Sequence, residues 1–93
     1  MKKISLSSQP RRNERILHQE AAGTVVLLGL DEGQYYCLDE IGGRVWALCD
    51  GEHGVAEIAA VLAGEYEAPP ATIQQDVLEL LADLVKENLV GIF

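Results

Sequence analysis

The sequence predicts an α+β fold in which a three-stranded antiparallel sheet is followed by three helices. Short β-branched and aromatic runs separated by turn residues fill the first half, whereas the second half repeats apolar residues at helical spacing. Ninety-three residues, 48% of them hydrophobic, suffice for one domain with a single modest core. Residues 1–13 are polar and show no periodicity, so we expect a flexible arm followed by a domain at 14–93.

Three runs predict the sheet. Arg15–Ala21 alternates weakly and forms the first strand, and Thr24–Leu30, "TVVLLGL", is apolar on both faces, as is typical of a central strand. The turn "LDEG" ends at Gly33, which suits a positive φ, and leads into a third strand at Gln34–Leu38. Two short connections favour a meander, which leaves the third strand at one edge.

The first helix is predicted at Glu40–Cys49, directly after the third strand. Asp39 is a suitable N-cap residue, and Gly51 is suited to the left-handed conformation that ends a helix. The core stripe of this helix is predicted to contain Ile41, Val45 and Leu48. Trp46 lies outside this stripe and is expected to pack at a second interface between the helix and the rest of the domain.

Two more helices complete the fold. Val55–Tyr66 follows Gly54, an acceptable but less favourable N-cap residue than Ser or Thr. Pro70 suits the first position of a third helix at Ala71–Asn88, and the apolar tail "LVGIF" is expected to pack back onto the domain. The order of three strands and three helices resembles a winged helix-turn-helix module in outline.

The third helix carries more apolar surface than a helix on one core requires. Its apolar residues span an arc of about 180°, whereas a surface helix needs about 100°. Either both flanks pack within the domain, or one flank lines an open groove beside the edge strand. In the second case an extended peptide adds as a fourth strand and places alternate side chains in the groove. The alternative occupants of the edge are the arm or a second copy of the chain.

Charge disfavours one alternative that the outline suggests, a winged-helix DNA-binding protein. Residues 1–20 hold five Lys/Arg and two Asp/Glu, a net of +3, whereas residues 21–93 hold two and thirteen, a net of −11. The domain would therefore repel the phosphate backbone, and we expect no nucleic-acid binding. No run approaches the roughly 18 apolar residues of a membrane span, and the N-terminus lacks the apolar segment of a signal peptide. These features predict a cytoplasmic protein without membrane contact.

The sequence offers little for catalysis. Cys37 and Cys49 match no metal-binding spacing, and we expect reduced thiols, no metal and no cofactor. Cys49 and His53 are close enough in sequence to suggest a nucleophile and its base. However, Cys49 ends a predicted helix on its core side and no third group is evident to orient the base, so we expect no enzyme activity.

Several motifs in order resemble the PqqD-like family. These are "YYCLDEIGGRVWALCDG" (35–51), "VAEIAAVLAGEY" (55–66) and "DVLELLADLVKENLV" (76–90), and the resemblance covers about residues 15–92. The family comprises RiPP precursor recognition elements, small non-catalytic domains that bind the leader of a ribosomally made precursor peptide. The resemblance implies three antiparallel strands and three helices, with the leader added to the third strand in a cleft facing the third helix.

The sequence departs from the family pattern at two positions. Asp39 stands where the family more often has Asn, and both residues cap helices. Gly54 stands where the family more often has Thr, and this glycine should weaken the start of the second helix by a few tenths of a kcal/mol.

The resemblance also implies site residues. The docking strand would comprise Gln34, Tyr35, Tyr36, Cys37 and Leu38, with Tyr36 and Leu38 also matching core positions. On the third helix, groove and core residues would both come from Asp76, Val77, Leu80, Leu81 and Leu84.

Within the family, the chain looks more like the stand-alone proteins of lasso-peptide clusters. The start "ISLSSQPRR" and the absence of Pro-Glu after the second strand suggest this. The implied partners are then a lasso precursor leader, a separate leader peptidase resembling a cysteine protease, and an ATP-dependent cyclase. The alternative is a peptide chaperone of the pyrroloquinoline-quinone type. A basic residue on the leader or the peptidase would suit the acidic domain and speed encounter.

Overall fold

The computed structural model describes residues 4–31 and 33–92. Residues 1–3 of the predicted arm, Glu32 of the predicted turn and Phe93 of the predicted tail lie outside the described residues. The elements in chain order are β1 (Pro10–Arg12), β2 (Ile16–Ala21), β3 (Thr24–Gly29), β4 (Tyr35–Leu38), α1 (Glu40–Leu48), α2 (Val55–Glu65), α3 (Pro70–Lys86) and β5 (Val90–Ile92).

The predicted fold class is confirmed. Strands β2, β3 and β4 form an antiparallel sheet in that order, and three helices follow it. The central strand β3 buries Val25 and Leu27 on the face that the helices cover. Gly33 has a φ of 70°, the conformation that the turn before β4 was predicted to need.

Helix α1 lies against this sheet because its sequence permits a close approach. Asp39 Oδ1 accepts a hydrogen bond from the Gly42 amide at 2.8 Å, as an N-cap residue does. Gly43 faces β3 so closely that a Cβ there would lie 2.7 Å from Val25 Cγ2. The bare glycine backbone therefore lets helix and sheet share one core.

One predicted core residue of α1 is wrong. Ile41 is 45% exposed, whereas Val45 is fully buried and Leu48 is partly buried. Trp46 is buried, and its ring packs edge-to-face with the ring of His18 on β2, with 6.2 Å between the two ring centroids. This is the second interface at which Trp46 was expected to pack. Ile41 instead lies at the rim of the core, where it lines a pocket together with residues of α2 and α3.

A second, two-stranded sheet was not predicted. β1 pairs with β5 in antiparallel register, Pro10 opposite Ile92, so the apolar tail does pack back and does so as a strand. Pro10–Arg12 lies within the residues predicted to form a flexible arm, yet Pro10 is fully buried. The Arg12 amide also donates to the Cys49 carbonyl at 2.9 Å. The division of the chain at residue 13 stays a prediction.

The segment before β1 supplies backbone acceptors to α2. The Val55 amide donates to the Ser8 carbonyl at 2.9 Å, and the Ala56 amide to the Leu6 carbonyl at 3.2 Å. The first amides of a helix have no partner within the helix, so these carbonyls satisfy two of them. Gly54, the N-cap residue, has no side chain for this task, and the arm performs part of it instead.

Helix α3 packs mainly against α2 and β5, whereas β4 packs mainly against β3 and α1. The buried residues of α3 are Ile73, Val77, Leu81 and Leu84. The buried side of α3 therefore packs mainly against α2 and β5 and not against the edge strand β4. None of the described helices is long and apolar enough to cross a membrane.

Candidate peptide-binding site

The hydrogen bonds of β3 establish which backbone groups of the sheet are paired. The Gly29 amide donates to the Gln34 carbonyl at 2.8 Å, towards β4, and the Leu30 amide donates to the Arg15 carbonyl at 3.0 Å, towards β2. Successive residues of a strand direct their backbone groups to opposite sides. Residues 25, 27 and 29 of β3 therefore bond to β4.

The same alternation identifies the free groups of β4. The register places Tyr36 and Leu38 opposite bonding residues of β3, so their amides and carbonyls are used within the sheet. Tyr35 and Cys37 direct theirs away from β3. In the part of the chain that the structure describes, no strand lies on that side of β4, and the described arm residues pair elsewhere. This edge offers two amides and two carbonyls to an incoming strand.

The side chains of β4 also alternate. Tyr36 and Leu38 point to the helix-covered face, where Leu38 is buried and Tyr36 partly buried. Tyr35 and Cys37 lie on the opposite face, and Tyr35 is 70% exposed. One side of the edge strand thus faces the helices and the other is open.

Two depressions each include one residue that lies close to β4 in the chain. A pocket of about 300 Å³ includes Gln34 at the start of the strand and Lys86 and Glu87 at the end of α3. A second pocket of about 100 Å³ includes Ile41, three residues beyond the end of the strand. Its other lining residues come from α1, α2, the loop after α2 and α3: Val45, Leu62, Tyr66, Ala68, Ile73, Asp76, Val77 and Leu80.

Both depressions are lined partly by α3, the first by its end and the second by its middle, and neither is lined by a residue of β4 itself. The smaller pocket is lined mostly by apolar side chains. The exposed side chain of Ile41, which was expected in the core, forms part of its wall. A peptide lying along β4 would pass from the first depression to the second. We call this path, defined by β4, Ile41 and the exposed surface of α3, the edge groove.

Burial separates the five predicted residues of α3. Leu81 and Leu84 are fully buried and Val77 is nearly so, which assigns the bulk of these side chains to the core. Leu80 is partly buried and Asp76 is exposed, and both line the smaller pocket. These two residues offer surface to a ligand, whereas Leu81 and Leu84 act through folding. Ile41, Ile73 and Tyr66 also line this pocket and were not predicted as site residues, because helical spacing alone does not reveal that they border a pocket.

Gln34 carries an unpaired polar atom at the other end of the edge groove. Its Oε1 is buried and has no hydrogen-bond partner among the described residues, and the side chain lies over Gly29. A buried acceptor without a partner costs free energy, about 1–3 kcal/mol. Because the Oε1 is inaccessible, a ligand donor would reach it only after the Gln34 side chain had rotated out from over Gly29.

Cys49 and His53 do not form a nucleophile pair. The Cys49 thiol is fully buried and donates to the Val45 carbonyl at 3.1 Å, and burial raises its pKa to about 12. The His53 ring instead contacts Asp50, with Nδ1 2.8 Å from Oδ2. A protonated, inaccessible thiol cannot attack a substrate at neutral pH. Within residues 4–31 and 33–92, no three His, Cys, Asp or Glu side chains come together to hold a metal ion.

The Asp50–His53 pair makes stability depend on pH. The hydrogen bond to Asp50 raises the pKa of His53, and the hydrogen bonds from the His53 ring and from the Glu52 and His53 amides lower the pKa of Asp50. The raised His53 pKa adds stability below about pH 6.5, and this is lost as pH rises through the folded-state pKa. The lowered Asp50 pKa adds stability above about pH 4, lost on acidification.

We therefore expect His53→Ala to lower Tm more at pH 5.5 than at pH 8.5, measured by thermal unfolding at both values. Asp50→Asn removes the negative charge that His53 contacts. In an Asp50→Asn background, His53→Ala should therefore lower Tm by the same amount at both pH values. An equal loss at both pH values in the single His53→Ala variant would contradict this account of the pair.

The sequence also matches a known protein family. The profile of the family described as Coenzyme PQQ synthesis protein D (PqqD) matches residues 24–90, which include β3, β4, all three helices and the start of β5. The chain belongs to the PqqD family. The PqqA binding protein of Xanthomonas oryzae pv. oryzae (strain KACC10331 / KXO85) is 37% identical over 92 residues, covering 97% of this chain and 98% of that relative.

Solved structures of PqqD-family and related domains have the same fold. The solution NMR structure of the PqqD truncation of Methylobacterium extorquens PqqCD, described as a functional and stand-alone RiPP recognition element, has 30% identity and a TM-score of 0.79, covering 95% of this chain and 94% of that one. TbiB1 in complex with the TbiA(beta) leader peptide has 27% identity and a TM-score of 0.79, covering 87% and 94%. The Methylobacterium extorquens domain is thus described as a recognition element, and TbiB1 is seen with a leader peptide bound.

Proposed function

We propose that this protein binds the leader segment of a ribosomally made precursor peptide as a strand added to β4. The observation that carries the proposal is the pair of outward-facing residues Tyr35 and Cys37, whose backbone groups have no strand beside them in the described chain, next to the edge groove. Main-chain hydrogen bonds to these residues would supply affinity, and pockets for alternate side chains would supply specificity.

The edge groove favours a particular kind of leader. Residues opposite Tyr36 and Leu38 would turn their side chains towards the helices, because directly opposed residues share a face. An apolar side chain that continues past Leu38 reaches the small pocket at Ile41 and Leu80. Asp76 lies at that pocket and is exposed, so a basic leader residue near the apolar anchor would be favoured.

The other edge of the sheet is less suited to this role. The Ile16 amide, at the start of β2, is one of the groups that point away from β3, and it already donates to the Asn13 carbonyl at 3.1 Å. β2 also follows β1 with only three residues between them, so the chain itself occupies the space beside its start. These contacts support β4 as the strand that receives the leader.

We further propose that the protein is non-catalytic and presents the leader to a leader peptidase and an ATP-dependent cyclase in lasso-peptide biosynthesis. The segment "ISLSSQPRR" at residues 4–12 and the absence of Pro-Glu after β3 support this subtype. A peptide chaperone of the pyrroloquinoline-quinone type is the second candidate, and it is favoured by the 37% identity to a PqqA binding protein over nearly the whole chain.

A binding experiment tests the proposal. A fluorescein-labelled leader peptide of a lasso precursor, for example the TbiA(beta) leader, should bind in a fluorescence anisotropy titration, and a scrambled peptide of equal charge should bind at least tenfold more weakly. Hydrogen exchange measured by NMR should show new protection at the Tyr35 and Cys37 amides, which exchange freely without the leader. Binding without that protection would place the leader elsewhere. A lasso precursor leader that bound no more tightly than a PqqA peptide would favour the second candidate.

A further inference from the structure

The outer face of the three-stranded sheet carries no charged side chain. The register turns eight side chains of β2, β3 and β4 away from the helices, although the chain as a whole carries 24% charged residues and a net charge of −8. Leu17, Leu28 and Tyr35 form one row across the three strands, and Leu17 is 53% exposed. The full set is Leu17, Gln19, Ala21, Thr24, Val26, Leu28, Tyr35 and Cys37.

This outer face is an unusual surface for a small acidic domain. Leu28 and Tyr35 are exposed as well, and with Leu17 and Val26 they line a shallow depression of about 470 Å³. Exposed apolar side chains that adjoin one another mark interaction sites more often than exposed apolar residues that stand alone. None of these eight side chains is ionisable to a charge at neutral pH, so a partner that covers them would desolvate no charge of theirs, although His18 also borders the depression.

A leader bound to β4 would extend the outer face. Its residues opposite Tyr35 and Cys37 would place their side chains beside them, because opposed residues of antiparallel strands share a face. The row from Leu17 through Leu28 to Tyr35 would gain a fourth member that belongs to the leader. A partner covering this face would therefore contact protein and leader together.

The size of the outer face restricts its occupant. Strands β2 and β3 have six residues each and β4 has four; at about 3.3 Å per residue and about 4.8 Å between strands they give a footprint of about 250 Å². A stable dimer buries about 800 Å² on each partner, so this face alone is too small to hold two copies of an acidic chain together. The dimensions suit a transient contact that becomes larger once the leader is in place.

We infer that the outer face is the docking surface for the enzyme that acts on the captured precursor. The inference rests on the proposed function, because continuity with the leader-binding edge is what distinguishes this enzyme from other partners. Docking here would make the enzyme bind the leader-loaded protein more tightly than the free protein. By linkage, the enzyme would tighten leader binding by the same factor.

Leu17→Asp tests the inference with a matched control. Leu17 lies two strands from β4, so the variant should keep the leader affinity of the wild type within about twofold in fluorescence anisotropy. Its affinity for the purified leader peptidase, titrated calorimetrically with a synthetic leader present, should fall at least tenfold. Val61→Asp places the same charge on an exposed apolar residue of α2 and should change neither affinity. Leu17→Gln repeats the test without a charge, and thermal unfolding confirms that all three variants fold.

The outcomes separate the inference from the proposed function. Peptidase affinity that Leu17→Asp and Leu17→Gln leave unchanged would overturn the inference while leaving leader binding intact. Failure of the wild type to bind the leader would instead overturn the proposed function. A dimer that sedimentation velocity detects in the wild type and Leu17→Asp abolishes would assign the face to a second copy and overturn the inference.

Discussion

Cys37→Pro is expected to weaken leader binding at least tenfold while the protein stays folded. The Cys37 amide points away from β3, so its loss removes no hydrogen bond within the sheet. It does remove a donor to the leader, and the proline ring occupies the position that the incoming strand needs. One lost hydrogen bond is worth about 0.5–1.5 kcal/mol, and tenfold corresponds to about 1.4 kcal/mol, so the steric effect should carry the loss beyond tenfold.

Cys37→Val is the matched control for this prediction. It changes the same side chain and keeps the amide, so leader affinity should remain within about threefold of the wild type. Tyr36→Pro should behave differently, because the Tyr36 amide belongs to the pairing with β3 and its loss should lower Tm. Equal leader affinities for Cys37→Pro and Cys37→Val, measured by fluorescence anisotropy, would show that the leader does not pair with β4.

Leu80→Asp should produce the largest loss of leader binding, about a hundredfold or more. Leu80 lines the small pocket and is partly exposed, so the variant should fold. Burying an apolar side chain against Leu80 would contribute about 1.5–3 kcal/mol. The introduced carboxylate would both remove this contact and add a charge that the bound leader desolvates. Leader affinity is measured by anisotropy and folding by circular dichroism.

Two substitutions on the same helix define what Leu80→Asp means. Ala82→Asp adds the same charge to the exposed polar side of α3 and should leave binding within about threefold. Leu84→Asp places a charge in the core at a fully buried position and should unfold the domain. If Leu80→Asp unfolds the protein as Leu84→Asp does, the surface at Leu80 belongs to the core and the edge groove is not the binding site.

Local signals predicted most of the fold. Asp39 and Pro70 established where α1 and α3 begin, and β-branched runs established β3, so these bounds agree with the structure to within one residue. β1 and β5 were missed as strands for a physical reason. Each has three residues, too few to show alternation, and they pair across some eighty residues of sequence, which no local pattern reports.

The candidate site could be predicted only in part. The surplus apolar surface of α3 was evident from helical spacing, but spacing alone could not distinguish Leu80 from Leu81 and Leu84. That distinction depends on how α2 and β5, the main neighbours of α3, lie around the helix, and in the structure Leu81 and Leu84 are fully buried whereas Leu80 is only partly buried. Ile41 was assigned to the core for the same reason: its spacing matched Val45, and nothing in the sequence indicated that α1 starts at an open pocket.

The contact between the start of the chain and α2 has a practical consequence. The segment before Pro10 resembles a dispensable polar extension, the kind that is often trimmed to obtain a shorter protein for crystals or spectra. Trimming it would take away the carbonyls of Leu6 and Ser8 and return two amides of α2 to water. Ile4 also packs against the core, so any shortened version should keep residue 4 onwards, and an affinity tag belongs upstream of that position.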